Sequence, residues 1–312
     1  MIVVLAGGVG AARFLRGLVD VVEPTSVTAI GNTGDDDEFL GLHVSPDLDT
    51  VVYTLADVVD PETGWGIAND TYACLEQAAR LGEETWFRLG DADLATHLTR
   101  TRLLRAGRTL SEATAAVASA FGLQCRLLPM SDDPVRTIVT TDAGDLSFQE
   151  YFVRRRWQDD VRAIRFDGAE AAQPAPGVLD AIAEAEAVIV APSNPLVSIG
   201  PILAVPGLRQ AIGDAAAPVV AVSPIVGGRA LKGPADRMLV ALGHEPSAAG
   251  VARLYADFLD VLVLDEEDAE LSGAVEALGV RPVVADTIMR DDASRAALAG
   301  AVLAAAGLDR GL

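Results

Sequence analysis

The sequence predicts an α/β protein with a Rossmann-like, mostly parallel sheet, helices on both faces and a small inserted α/β-hairpin subdomain. Three observations support this fold class. Apolar runs of strand length alternate with helix-like stretches, a glycine-rich turn follows the first run, and one segment breaks the alternation with a hairpin pattern. Half of the 312 residues are apolar, so the chain can bury a large core. We expect one domain, residues 1–312, with the inserted subdomain at about 110–172.

The strands of the sheet are predicted where short, β-branched runs are bounded by turn residues. Thr109 and Glu112 form a capping-box pattern that predicts a helix start, and Asn69 and Asp70 are good caps for another helix. Residues 137–153 alternate polar and apolar side chains around Asp-Ala-Gly-Asp, which predicts an antiparallel hairpin. The predicted strands cover residues 2–5, 27–30, 187–191, 218–222, 261–264 and 282–285.

Charge and composition limit the partners of the protein. With 24 basic and 45 acidic residues the net charge is −21, which repels nucleic acid and anionic membranes at ordinary salt. At molar salt the Debye length falls to about 3 Å and self-repulsion is screened. We therefore favour a halophilic, cytoplasmic protein over an ordinary acidic one. No signal peptide or membrane-length apolar run is visible, and Cys74 and Cys125 are too few for a disulfide framework or a zinc site.

The stretch Gly7-Gly8-Val9-Gly10 follows the first predicted strand and precedes a helical pattern. Glycines at such a turn let backbone N–H groups approach an anion at the positive end of the helix. The loop lacks the Gly-Lys-Ser/Thr of a Walker A motif, and Arg13 stands where a dinucleotide fingerprint has a third glycine or alanine. A dinucleotide site, another phosphate site and a plain tight turn all stay open on these residues.

Carboxylates cluster after the second predicted strand. Asp35, Asp36 and Asp37 lie at the carboxyl edge where open α/β sheets bind ligands, and Ser-Pro-Asp-Leu-Asp-Thr follows them. In an extended segment, Asp47 and Asp49 of that stretch would point the same way. Oxygen ligands of this kind suit Mg²⁺, which keeps several waters and bridges to substrate phosphate. The alternative is a solvated acidic loop.

Two further stretches carry polar residues in apolar surroundings. Arg88 lies between apolar residues, where a charge needs an acidic partner or an anionic ligand. His97, on the helix that follows, is expected to be a packed histidine. Ser193 and Asn194 follow the most strand-like run and offer short polar side chains to a nucleotide.

The chain contains a single lysine, Lys232, which lies with Arg229 beside glycines. On so acidic a chain this basic pair favours an anion site. We find no nucleophile elbow, no Cys–His pattern and no H-E-x-x-H motif. Carboxylates for a metal, cations for phosphate and glycine loops fit phosphoryl-type transfer, in which positioning and charge neutralisation provide most of the catalysis.

Six longer motifs occur in order along nearly the whole chain. They are G-G-V-G at Gly7, S-P-D-L-D-T at Ser45, W-G-I-A-N-D-T at Trp65, L-G-D-A-D-L-A-T-H at Leu89, L-P-M-S-D-D-P-V at Leu128 and A-P-S-N-P-L-V-S-I-G-P-I-L at Ala191. Together they resemble the 2-phospho-L-lactate transferases of deazaflavin coenzyme (F-420) biosynthesis.

The resemblance implies a reaction and a set of site residues. The protein would transfer 2-phospho-L-lactate from lactyl-2-diphospho-5'-guanosine to the ribityl hydroxyl of the deazaflavin Fo (7,8-didemethyl-8-hydroxy-5-deazariboflavin), releasing GMP with the help of Mg²⁺. It would act as a homodimer. Asp49 and Arg88 would contact Fo as catalytic residues, with Asp49 either a metal ligand or a general base, and Asp35 and Asp49 would hold the metal. The guanosine nucleotide would be held by Gly7, Gly8, Gly10, Ser193 and Asn194.

Three other interpretations stay open at this stage. A non-enzymatic regulator, similar to gluconeogenesis factors, would bind a nucleotide sugar without turnover. The same transferase could use an enolpyruvyl donor. An NAD-dependent dehydrogenase has Arg13 against it, together with the lack of a clear ribose-binding acid after the second strand, for which Asp35 is the nearest candidate.

Overall fold

The structure is a computed structural model that describes residues 1–308. Its strands are β1 (Ile2–Ala6), β2 (Val27–Gly31), β3 (Asp37–Phe39), β4 (Leu42–Val44), β5 (Arg126–Pro129), β6 (Arg136–Thr141), β7 (Gly144–Ser147), β8 (Val161–Asp167), β9 (Ala187–Val190), β10 (Val219–Val222), β11 (Ile225–Val226), β12 (Arg229–Ala230), β13 (Val261–Asp265) and β14 (Arg281–Ala285). Seven of them form one parallel sheet in the order β14-β13-β10-β9-β1-β2-β5. All six predicted sheet strands are confirmed, with end residues that differ by one.

The α-helices are α1 (Gly8–Val21), α2 (Pro46–Leu55), α3 (Ala73–Arg80), α4 (Asp91–Arg105), α5 (Leu110–Ala120), α6 (Val178–Ala183), α7 (Gly200–Ala204), α8 (Leu208–Gly213), α9 (Ala235–Ala241), α10 (Ala248–Tyr255), α11 (Ser272–Glu276) and α12 (Asp292–Ala305). Short 3₁₀ segments lie at Pro24–Ser26, Ala169–Ala171 and Glu266–Leu271, and a π-helical turn at Glu150–Arg154. The capping box at Thr109 is confirmed, because Thr109 Oγ1 accepts from the Glu112 amide and Glu112 accepts from the Thr109 amide.

Two hydrophobic cores lie on opposite faces of the sheet. In β1, Ile2 and Val4 belong to the core under α1, α2, α5 and α12, whereas Val3 and Leu5 belong to the core under α6, α8 and α10. This alternation follows from the two-residue side-chain period of a strand. It explains why β1 reads as a continuous apolar run, since both of its faces are buried. The predicted Rossmann-like α/β class is confirmed.

The insertion is a separate antiparallel sheet with the order β7-β6-β8. The predicted hairpin turn is present, with Thr141 paired to Gly144. Its second strand ends at Ser147, so the strand predicted to continue as far as 153 is wrong there, where the chain forms the π-helical turn. β5 falls inside the predicted 110–172 insertion yet forms an edge of the main sheet, so the separate sheet spans only 136–167. The assignment of the whole chain as one domain stays a prediction.

Asp70 and Asp91 each cap the other's helix. Asp70 accepts hydrogen bonds from the amides of Ala92 and Asp93 at the start of α4, and Asp91 accepts from those of Ala73 and Cys74 at the start of α3. The prediction that Asp70 begins the helix after it is therefore wrong, since its carboxylate serves α4. Carboxylates at helix N-termini also meet the positive end of the dipole. These reciprocal hydrogen bonds hold the loop that carries Arg88 against α3 and α4.

No helix within residues 1–308 is long and apolar enough to cross a bilayer.

Candidate active site

The topology places one crevice at the centre of the sheet. β1 lies between β2 and β9, and the chain builds outward from β1 through β2 and from β9 through β10. In open parallel sheets the carboxyl ends of strands at such a switch point form the ligand crevice. The glycine stretch 7–10, called the glycine loop here, follows β1 and comprises the N-cap and first residues of α1. The loops at 32–36 and 191–198 follow β2 and β9, so this crevice gathers three of the predicted motifs.

The glycine loop packs tightly against the loop after β9. Ser193 Oγ donates a 2.8 Å hydrogen bond to the Gly7 carbonyl oxygen. A Cβ on Gly10 would lie 2.1 Å from the carbonyl oxygen of Pro192, and a Cβ on Gly7 would lie 2.7 Å from Ser198 Cβ. These two glycines are therefore required by the close approach of two backbones.

Asn194 stabilises its own loop. Its Oδ1 accepts a 2.9 Å hydrogen bond from the Leu196 amide, and its Nδ2 lies 3.6 Å from Met238 Sδ. Ser193 and Asn194 thus shape the crevice wall, and direct nucleotide contact by either side chain stays a prediction.

Asp47 joins the glycine loop to the loop after β2. Asn32 Nδ2 donates to Asp47 Oδ2 at 2.8 Å, and the Gly8 amide also donates to Asp47. Burial raises the pKa of Asp47 to about 7, with the charge of Asp36 adding to it against these two hydrogen bonds. Burial also raises the pKa of Asp35, and the charges of Asp47 and Asp36 raise it further. Two carboxylates therefore share one buried place beside the glycine loop.

The three consecutive aspartates have different surroundings. Asp35 is buried beside Asp47, and within residues 1–308 neither Asp35 Oδ1 nor Asp36 Oδ1 has a hydrogen-bond partner. Asp36 Oδ2 accepts from Ser45 Oγ at 2.7 Å and lies 3.0 Å from His43 Nε2, while Asp37 begins β3. Burial raises the pKa of Asp36, and the contact with His43 opposes that shift. Asp35 is therefore the member of the run best placed to meet a ligand in the crevice.

Asp47 and Asp49 point in different directions, so the expectation that both face one site is wrong. The segment is helix α2 and not extended chain, because Pro46 begins a helix with both carboxylates in its first turn. At about 100° per residue, two positions apart in a helix differ by about 200°. Asp47 consequently faces Asn32 and the glycine loop, and Asp49 faces α4.

On α4, Asp49 meets a buried polar network. Both of its carboxylate oxygens accept from Arg100, Nη1 at 3.0 Å and Nη2 still closer. His97 Nδ1 lies 3.6 Å from Asp49, and His97 Nε2 lies 3.1 Å from Asp93 Oδ1, which also accepts from Tyr53 at 2.7 Å. Burial acts to raise the pKa of Asp93, but the contacts with His97 and Tyr53 outweigh it and lower that pKa. The packed role predicted for His97 is confirmed, since only 1 % of it is exposed.

Arg88 does not lie in an apolar pocket as the sequence suggested. Phe87 and Leu89 on either side pack into a small apolar cluster, and the Arg88 side chain turns outward. Its guanidinium forms a cation–π contact 4.2 Å from the centre of the Tyr72 ring, and no acceptor within residues 1–308 binds its donors. The expectation that the Arg88 charge lies in apolar surroundings, where it would need an acidic partner or an anionic ligand, is therefore wrong. Contact with an acceptor substrate stays a prediction.

Arg229 and Lys232, the predicted basic pair, have different surroundings. Arg229 is exposed on β12, whereas Lys232 Nζ donates to the Thr63 carbonyl oxygen across the crevice mouth.

Mg²⁺ fits the residues beside the glycine loop better than the pair Asp35 and Asp49. Within residues 1–308, no three His, Cys, Asp or Glu side chains converge as a metal cluster. Asp35, with its unpartnered Oδ1, and Asp47 supply two oxygen donors to an ion that keeps waters and takes further oxygens from phosphate. A metal role for Asp49 stays a prediction that requires its ion pair with Arg100 to open.

Sequence reasoning missed Arg100 and Asn32. Asp93, His97 and Arg100 have the i, i+4, i+7 spacing of one helix face, and that spacing was available in the sequence. Asn32 has no comparable signal, because its role depends on where α2 brings Asp47.

The fold and the crevice define a Rossmann-like α/β protein whose ligand site combines a glycine loop with paired carboxylates. The chain belongs to the 2-phospho-L-lactate transferase family CofD, whose family profile matches residues 2–302. It is therefore a transferase.

Relatives named phosphoenolpyruvate transferase and relatives named 2-phospho-L-lactate transferase are similar to this chain along nearly their full length. The phosphoenolpyruvate transferase of Streptomyces griseus is 49% identical over 304 residues, covering 96% of each chain. The 2-phospho-L-lactate transferase of Methanopyrus kandleri is 44% identical over 305 residues, 96% of each chain, and that of Methanosarcina mazei 41% over 287 residues, 92% of this chain and 94% of the other.

Among solved structures, a UPF0052 family member from Bacillus halodurans has the same fold. It has a TM-score of 0.66 and covers 97% of this chain and 98% of its own. With 16% sequence identity, this likeness concerns the fold alone. The family match favours an enzyme over both the regulator and the dehydrogenase.

Proposed function

We propose that the protein transfers a phosphorylated three-carbon acid from a guanosine diphosphate-activated donor to the terminal ribityl hydroxyl of Fo. The family match along residues 2–302 supports the transfer, and the crevice supports a nucleotide donor. One observation carries the proposal furthest: Asp47 is buried against the glycine loop, and the buried carboxylate of Asp35 lies beside it. Two carboxylates in such a place favour a cation, and a cation there favours a diphosphate.

The reaction is a substitution at phosphorus. The acceptor hydroxyl oxygen forms a bond to the phosphorus that bears the three-carbon acid, and the bond from that phosphorus to the bridging oxygen breaks. The electron pair of the broken bond leaves with GMP, and the hydroxyl proton passes to a base or to solvent. Such transfers depend mainly on positioning and on neutralising charge.

In this proposal, the two carboxylates that point to different sides of α2 have different roles. Asp35 and Asp47 would hold Mg²⁺, and the ion, when bound, neutralises the diphosphate. Asp49, fixed by Arg100, would orient the acceptor hydroxyl, and Arg88 would bind the acceptor from the crevice mouth. The first turn of α2 separates the two carboxylates, so one helix serves donor and acceptor.

The donor itself has two candidates. The family name supports 2-phospho-L-lactate, which the sequence motifs also imply. The Streptomyces relatives, named phosphoenolpyruvate transferases, are 48–49% identical, against 41–44% for the archaeal 2-phospho-L-lactate transferases. This difference favours the enolpyruvyl donor. A homodimer and a cytoplasmic location are part of the proposal and have no support from the crevice.

A competition assay tests the function and the donor together. The purified protein receives Mg²⁺, Fo and an equimolar mixture of the lactyl and enolpyruvyl guanosine donors, and mass spectrometry separates the two Fo products. We expect the enolpyruvyl product in excess. An excess of the lactyl product would overturn the donor choice and keep the transferase, and the absence of both products would overturn the function.

A further inference from the structure

Lys232, although exposed, lies over the glycine loop. Its ammonium group donates to the Thr63 carbonyl oxygen. The next residue, Gly64, packs on the loop itself, because a Cβ at Gly64 would lie 2.8 Å from Val9 Cγ1 and 3.5 Å from Lys232 Nζ. Gly64 therefore lies between Lys232, the single lysine of the chain, and Val9 in the middle of the glycine loop.

Arg13 brings a second positive charge to the same place. It lies on α1, three residues after Gly10, and is half-buried. Burial and then the charge of Arg13 lower the pKa of Lys232, while burial and then the charge of Arg295 lower the pKa of Arg13. Arg13 therefore acts on Lys232 as a nearby like charge.

No carboxylate neutralises this pair. Within residues 1–308, neither Arg13 nor Lys232 forms an ion pair with an acidic side chain. The chain has 45 acidic residues and a net charge of −21, so a shortage of acidic residues does not explain why this pair lacks an acidic partner. Two adjacent cations without an acid repel each other unless an anion lies between or beside them.

We propose that Arg13 and Lys232 bind the diphosphate of the nucleotide donor where it crosses the glycine loop. Lys232 would exchange the Thr63 carbonyl for a phosphate oxygen, and Arg13 would offer its planar pair of donors. The assignment rests on the proposed transferase reaction, which supplies the nucleoside diphosphate. Because lactyl and enolpyruvyl donors share that diphosphate, the pair serves either donor equally.

The single lysine permits a direct test on the native protein. An amine-acetylating reagent is applied with no ligand, with guanosine, with GDP or with inorganic pyrophosphate, and peptide mass spectrometry follows acetylation of Lys232. We expect GDP at about 100 times its dissociation constant to slow the reaction about tenfold or more. Pyrophosphate is expected to protect as well, and guanosine not to protect. Acetylation of Lys232 at an unchanged rate, with GDP binding verified by calorimetry, would overturn the assignment.

Variants test the same contacts by affinity. Lys232→Gln and Arg13→Gln are each expected to weaken GDP binding about tenfold, the effect of one lost charge-assisted contact. Lys232→Arg is expected to recover most of the affinity. Arg253→Gln is the matched control, since Arg253 is exposed on α10 and, among the residues that the structure describes, pairs only with Glu245 at 3.3 Å. An equal loss in Arg253→Gln and Lys232→Gln would show that only the net charge matters and would overturn the assignment.

The outcome also separates this inference from the proposed function. Transfer activity with an unprotected Lys232 would overturn the diphosphate contact alone. Failure of the native protein both to bind GDP and to transfer would overturn both.

Discussion

Arg100 and Asp49 form an ion pair that lies entirely inside the protein, between α4 and α2. Two nitrogens of the guanidinium donate to the two carboxylate oxygens, and the side chains are 1 % and 6 % exposed. Burial acts to lower the pKa of Arg100, and the charge of Asp49 and its hydrogen bonds raise it by more. The pair fixes the direction of Asp49, the residue that the proposed function places beside the acceptor.

Removing one member of this pair is expected to destabilise the protein strongly. Arg100→Met leaves the Asp49 carboxylate buried without its partner, which costs about 3–5 kcal/mol in the free energy of unfolding. Arg100→Met combined with Asp49→Leu removes both charges and is expected to cost less than Arg100→Met alone. Urea denaturation of the wild type, the single variants and the double variant measures this coupling. A double variant whose loss equals the sum of the two single losses would contradict it.

The raised pKa of Asp47 predicts that the metal-free protein loses stability as pH rises. The pKa is near 7 in the folded protein and 3.8 in the reference state, so the folded state holds its proton more tightly. The resulting stabilisation is fully present below about pH 4 and is lost as pH rises through 7. With EDTA present, the melting temperature is expected to be higher at pH 5.5 than at pH 8, and Mg²⁺ is expected to help most at pH 8.

Asp47→Asn is the control for this pH dependence, because the amide keeps the shape without the charge. Melting curves of this variant are expected to vary less between pH 5.5 and 8. The same slope in both proteins would assign the pH dependence to other groups.

Gly10→Ala is expected to damage the glycine loop. The new methyl group would meet the carbonyl oxygen of Pro192 at 2.1 Å, a backbone atom that cannot move without shifting the loop after β9. Overpacking of this kind costs about 1–3 kcal/mol. Gly273→Ala is the matched control. Gly273 lies on α11, where, apart from its chain neighbours and its own helix backbone, no described atom lies within 4 Å of the added carbon, and alanine favours a helix by up to about 1 kcal/mol. Equal unfolding free energies for the two variants would contradict the close approach.

Arg88→Gln is expected to weaken acceptor binding while leaving the fold unchanged. Arg88 is exposed and its one aromatic contact is with Tyr72, so its loss disturbs little packing. A lost contact to substrate raises the KM for Fo about tenfold, with kcat less affected. Arg80→Gln serves as the control, since Arg80 is exposed on α3 and its only side-chain hydrogen bond within residues 1–308 goes to Gln77 at 3.5 Å. An unchanged KM in Arg88→Gln would remove Arg88 from the acceptor site.

The sequence predicts the central sheet well because β1, β2, β9, β10 and β13 are buried on both faces and are mostly apolar. The edge strand β14 is only partly buried and was found from its β-branched residues. β5 was missed because Arg126 and Pro129 at its ends interrupt that pattern. The glycine loop was predicted at the right place, but the sequence did not show why its glycines are required. Gly10 meets Pro192 from a loop more than 180 residues away, and no local pattern carries such a contact.

The candidate site, too, could be predicted only in part from the sequence. The acidic run and the Asp47–Asp49 stretch were identified from the sequence, but the direction of each carboxylate depends on α2 being a helix. Pro46 at its first position is compatible with a helix start, and the extended interpretation neglected it. The preference for high salt, drawn from the net charge, stays a prediction that thermal unfolding in low and molar salt would test.

The most direct test of the central claim is a single-turnover experiment. Excess protein with Mg²⁺ and Fo is mixed with a limiting amount of the guanosine donor, and GMP and the phosphorylated Fo product are quantified together. The transferase account predicts one GMP for each product molecule, with both absent when Fo is omitted. GMP released without Fo, or neither species formed by folded protein with either donor, would contradict it.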